Sequence, residues 1–134
     1  MNGVPADLDL TFLVGQELTT ISISQWSLQF MFQHAQRLQH SDQPAGHIVV
    51  WGSWRLCSAL GTVIDESVGP VRDSPLGNQS QHGWEVRSLL EDAVESAELD
   101  VPESFTLRFT SGNRLTIFDD YVHLHSFSVN GRDV

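Results

Sequence analysis

The sequence predicts a mainly β domain, α+β in class. It has six to eight antiparallel strands in a pseudo-duplicated, meander-like sheet, and one short helix near residues 84–92. Three observations carry this expectation. Apolar residues repeatedly occupy alternate positions, as they do in a strand with one face on a core. Gly, Pro, Asn and Asp punctuate those runs at the spacing of turns. The apolar pattern of the first half also returns in the second. A length of 134 residues suits one domain over 1–134, and a 40% hydrophobic content with twelve Phe, Trp and Tyr residues rules out a disordered chain.

Taken in order, Leu10 to Val14 is an apolar knot that stops at Gly15. Glu17 to Ser24 is rich in β-branched residues and reads as a strand. Trp26, Leu28, Phe30 and Phe32 then alternate with Ser27, Gln29, Met31 and Gln33, which predicts its hairpin partner. Residues 34–46 end in Pro44 and Gly46 and read as a loop. His47 to Cys57 opens with a near-continuous apolar run and is expected to be one central strand, with a bulge or close approach at Gly52. A weaker strand is placed at Ala59 to Ile64, followed by a loop near 66–83.

The stretch from Trp84 carries a helical stripe (Val86, Leu89, Leu90, Ala93, Val94) that runs into an alternating one (Ala97, Leu99, Val101). Internal repetition divides it into a short helix over 84–92 and a strand over 94–101. Leu13 falls on Leu89, Leu18 on Val94, Ile21 on Ala97 and Ile23 on Leu99. With a three-residue insertion near Pro102, Leu28 and Phe30 fall on Leu107 and Phe109, and Ile48 and Val50 fall on Leu115 and Ile117. The half-repeats are approximately 10–57 and 86–129. Phe105 to Phe109, the turn Ser111-Gly112-Asn113 and the return over Leu115 to Phe118 form the clearest hairpin, and Tyr121 to Val129 is expected to add a strand.

Charge narrows the function. Seventeen acidic residues face seven basic ones, every one an arginine, for a net charge of −10. That balance argues against nucleic acid and against an anionic membrane surface, and favours a basic protein partner. No apolar run is long enough for a membrane-spanning helix, the first residues lack the pattern of a secretory leader, and the single Cys57 fits a reducing compartment. A cytoplasmic protein is expected.

Six carboxylates lie between residues 91 and 103 with no basic residue among them. From these and their neighbours, Glu91, Asp92, Glu95, Glu98, Asp119 and Asp120 are candidate partner-binding residues. Trp51 and Trp54 join them as candidate hot spots, because tryptophan beside acidic residues suits an interface. No catalytic residue is assigned: nucleophile elbow, Cys–His signature and phosphate loop are all missing, and no cofactor is expected. His123 and His125, two apart on a predicted strand, are an alternative metal pair, with His34 and His47 as further imidazoles. Self-association through exposed strand edges, giving a homodimer, is a third reading.

The phrases Leu10-Thr-Phe-Leu-Val-Gly-Gln-Glu-Leu18, Trp26-Ser-Leu-Gln-Phe30, Phe105-Thr-Leu-Arg-Phe109 and Gly112-Asn-Arg-Leu-Thr-Ile-Phe-Asp-Asp120 resemble a group of small acidic, β-rich bacterial proteins of mostly unknown function. Some proteins of this build are immunity proteins, which bind and neutralise the cognate toxin of an interbacterial competition system. The resemblance implies a non-enzymatic inhibitor whose acidic surface covers a basic toxin domain. Its motifs are structural, so it transfers no functional residue.

Overall fold

A computed structural model describes residues 3–24, 27–34, 45–67, 83–119 and 126–134. Ten strands are present among them: β1 (Gln16–Ile23), β2 (Leu28–His34), β3 (His47–Val50), β4 (Trp54–Cys57), β5 (Val63–Ser67), β6 (Val94–Asp100), β7 (Ser104–Phe109), β8 (Arg114–Phe118), β9 (Phe127–Val129) and β10 (Arg132–Asp133). The fold is mainly β, as the alternation requires, and every pairing is antiparallel.

The strands form two sheets rather than the expected single one. The first has the order β1-β2-β3-β9-β10 and the second β5-β4-β8-β7-β6. The departure begins at Gly52. The apolar run from His47 to Cys57 is two strands, not one: β3 ends in the first sheet, and β4 starts in the second four residues later. The N–H groups of Trp51 and Gly52 both donate to the carbonyl of Ser126, so the break has its own hydrogen bonds. Buried side chains of both sheets form one core, which runs from Val4 to Val134. Across it the rings of Phe105 (β7) and Phe127 (β9) meet edge to face at 4.9 Å.

The expected helix over 84–92 is also corrected. The segment Gly83–Leu89 is a 3-10 helix, and no α-helix occurs among the described residues. Val86 and Leu89, both buried, are three apart, which suits a helix of three residues per turn, while Leu90 is exposed. A 3-10 turn at Thr11–Leu13 occupies the corresponding place in the first half. The strand expected at 59–64 begins only at Val63, because Ser58 to Gly61 closes a turn in which Gly61 N–H donates to the Ser58 carbonyl. Most of the loop assigned near 66–83 and of the strand assigned from Tyr121 lies outside the described residues.

The halves are related by a pseudo-two-fold axis. β1, β2 and β3 build one side of the first sheet, and β6, β7 and β8 build the matching side of the second. Each half then sends its last hairpin to the other half's sheet: β4–β5 pairs with β8, and β9–β10 pairs with β3. The equivalences Leu18 with Val94, Ile21 with Ala97, Ile23 with Leu99, Ile48 with Leu115 and Val50 with Ile117 follow from the registers. One correction concerns β2. Leu28 and Phe30 correspond to Phe105 and Leu107, one pleat earlier than the three-residue insertion placed them. A shift of two residues preserves which face each side chain takes, so apolar patterning cannot distinguish the two alignments.

The axis passes beside the isolated bridge between Glu17 and Ala93. Gly15 N–H donates to the Val94 carbonyl, and Glu91 N–H donates to the Leu18 carbonyl, at 2.8 Å each. These donors are equivalent residues, and both have left-handed backbones, with φ of 89° at Gly15 and 71° at Glu91. A methyl at Gly15 would touch nothing within 4 Å, so only the backbone resists it. Gly15→Ala is therefore expected to destabilise by about 1–2 kcal/mol, and Glu91→Gly to stabilise by a similar or smaller amount. Urea denaturation of the two variants checks both signs.

Candidate functional site

β6 is an edge strand of the second sheet, paired as a strand only with β7, while its first residue also accepts the Gly15 N–H at the Val94 carbonyl. Its apolar residues Val94, Ala97 and Leu99 pack on the core, and an extra residue at Glu95 sets their three-then-two spacing. At the other β6 positions Ser96 is half-buried, and Glu95, Glu98 and Asp100 are exposed carboxylates. Glu91, Glu95, Glu98, Asp100 and Glu103 are all exposed, and among the described residues none of them makes an ion pair or a side-chain hydrogen bond. Seven strand residues extend about 23 Å. The turns at either end lengthen the row.

The other candidates fall elsewhere. Asp92 is half-buried and tied to the β7–β8 turn: the Thr110 hydroxyl donates to its carboxylate at 2.7 Å, and Ser111 N–H donates at 3.3 Å. Asp119 is buried at the junction of the two sheets, where it accepts hydrogen bonds from the Ser126 hydroxyl and from Gly3 N–H. Its removal would orphan both donors, so Asp119→Ala is expected to cost about 2 kcal/mol of stability in chemical denaturation. Trp54 has no exposed surface and is a core residue, out of reach of a partner, whereas Trp51 is half-buried. The structure thus brings Glu91, Glu95 and Glu98 together and separates Asp119 and Trp54 from them. Asp100 and Glu103, present in the acidic run but not singled out from sequence, complete the row.

Asp120, His123 and His125 lie outside the described residues. His47 opens β3, with its Nε2 at 3.2 Å from the Gln29 side-chain oxygen, and His34 closes β2. Among the described residues no three His, Cys, Asp or Glu side chains converge as metal ligands, and no helix is long and apolar enough to cross a membrane. Comparison with protein-family models, with curated proteins and with solved structures finds no match to this chain.

Proposed function

We propose that this protein is a non-enzymatic binding domain that docks a basic protein against the acidic β6 edge, as an immunity protein occludes a cognate toxin. The observation that supports this reading is the row of five exposed, unengaged carboxylates from Glu91 to Glu103. Like charges held along one edge repel one another in the free protein. A basic surface relieves that repulsion, speeds encounter and selects against acidic competitors. Blockade would be steric, over a standard interface of roughly 800 Å² per partner.

The same row disfavours self-association through β6. A two-fold dimer would set each carboxylate row against its own copy. Carboxylates on a bare edge strand also keep it from pairing with other chains, and charge reversal separates that role from docking.

The test is co-expression with the product of the adjacent reading frame, comparing wild type with the triple variant Glu91→Lys, Glu95→Lys, Glu98→Lys. One-to-one capture of a basic protein by wild type, lost in a triple variant that stays monomeric and folded, is the expected result. Equal capture by both proteins would overturn the proposal. Wild-type association is further expected to slow by about tenfold or more between low and moderate salt, measured by surface plasmon resonance.

A further inference from the structure

The outer face of the second sheet has a different character from its acidic edge. We infer that it holds a binding site for a small, doubly charged oxyanion of the phosphate-monoester class, gripped by Arg55, Arg108 and Arg114.

Antiparallel register brings these residues together from three adjacent strands. Arg108 on β7 lies directly opposite Arg114 on β8, and Thr106 lies opposite Thr116, which in turn lies opposite Arg55 on β4. With Glu98 at one side they line an open cleft of about 330 Å³, a volume at the lower end of small-molecule sites. Three of the seven basic residues of a chain with net charge −10 meet in this cleft.

Two features make a purely structural role a poor explanation. Like charges directly opposite one another on neighbouring strands are destabilising. Yet among the described residues neither Arg108 nor Arg114 has an ion pair or a side-chain hydrogen bond, and Glu98 makes none with them. The internal symmetry supplies a control within the same molecule. The positions equivalent to Arg108, Arg114 and Arg55 on the first sheet are Met31, His47 and Ser128, so the same scaffold forms without a guanidinium at any of them.

The chemistry fits a compact dianion. Arg108 and Arg114, opposite each other and unpaired among the described residues, set two positive charges against roughly −1.5 to −2 on a phosphate monoester at neutral pH, with Glu98 at the margin. Arg55, which faces Glu66 across β4 and β5, adds N–H donors rather than a free charge. Arginine presents paired N–H donors that match the edges of a phosphate group. The Arg55 guanidinium lies 5.5 Å from the centroid of the Phe118 ring, which orients its plane. The hydroxyls of Thr106 and Thr116 bond to each other at 2.8 Å. One hydroxyl proton serves that bond, and the other is left to donate to a ligand oxygen. A polyanion would meet the negative field of the rest of the molecule. A small anion feels mainly the charges within a Debye length of roughly 8 Å.

Calorimetric and NMR titration of the full chain with inorganic phosphate and with glycerol 3-phosphate tests the inference, with succinate as the carboxylate comparator, all in chloride buffer. The expected result is one saturable site for the phosphates, with shifts centred on the Thr106 and Thr116 amides. Affinity should fall about tenfold or more in the variant Arg108→Gln, Arg114→Gln and stay unchanged in Arg132→Gln, whose residue pairs with Asp7 elsewhere. In phosphate-free buffer the double variant should melt no lower than wild type, since it loses a repulsive pair. The single variant Arg108→Gln, at an exposed position, should weaken binding in the same direction. Four results would overturn the inference: no saturable binding, equal or tighter binding of succinate, equal loss in Arg132→Gln, or a double variant that unfolds without phosphate. A dimer held by this face and broken by the double variant would assign the arginines to a second copy instead.

Discussion

Either half of the chain, produced alone as residues 1–75 or 76–134, is expected to fail to fold as a monomer, while the mixed halves regain native circular dichroism. The reason lies in the exchanged hairpins. Without the second half, β3 loses its pairing with β9, and β4 loses its pairing with β8. Ile48, Val50, Trp54 and Leu56, none of which has any exposed surface in the whole protein, would then lack the residues that cover them. A fragment of this size buries too little apolar area to offset the entropy of ordering its backbone. Separated halves that reassociate would show that the two repeats are one cooperative core. A stable monomeric half would show that the hairpin exchange contributes little.

Trp54→Ala is expected to be the most damaging single substitution, costing about 3–5 kcal/mol. Trp54 faces Ile117 across β4 and β8, at the position that Phe127 occupies against Val50 in the other half. Both aromatics have no exposed surface, so each truncation leaves a cavity inside a packed core. For a domain with total stability of about 5–15 kcal/mol, that loss removes a large fraction and lowers the melting temperature by about 10–20 °C. Phe127→Ala should act alike. Urea denaturation measures both, and an unchanged midpoint would contradict the packing described for this end of the core.

Much of this architecture was legible as periodicity, and its failures have physical causes. The hairpins β1–β2 and β7–β8 follow from alternation around turn residues, and the internal repeat follows from matched spacings such as Leu18–Ile21–Ile23 and Val94–Ala97–Leu99. That three-then-two spacing also encodes a bulge in each half, at Thr19 and at Glu95, which alternation alone obscures. The change of sheet at Gly52 was illegible because both strands bury apolar residues in one core, so the run reads as continuous across the break. The expected short helix overruns to residue 92 because Leu90, Ala93 and Val94 continue a helical spacing after the 3-10 helix Gly83–Leu89 has ended.

The acidic row was visible as a charge run, but sequence could not separate exposed Glu95 and Glu98 from Asp119, which the fold commits to Gly3 and Ser126. Nor could it separate Trp51 from Trp54. The arginine cluster went unread because its members lie on three strands. Its nearest trace in sequence is Arg108 and Arg114, set three residues either side of Ser111 in the turn, so that hairpin register places them opposite each other.

Docking of a basic protein on the β6 edge is tested most directly by hydrogen exchange. Amides from Glu91 to Glu103 would be followed in the free protein and in complex with the basic product of the adjacent reading frame. Protection gained over that segment, with little change across β1 and β2, is the predicted result. Protection confined to the first sheet, or none along β6 in a complex that has formed, would contradict it.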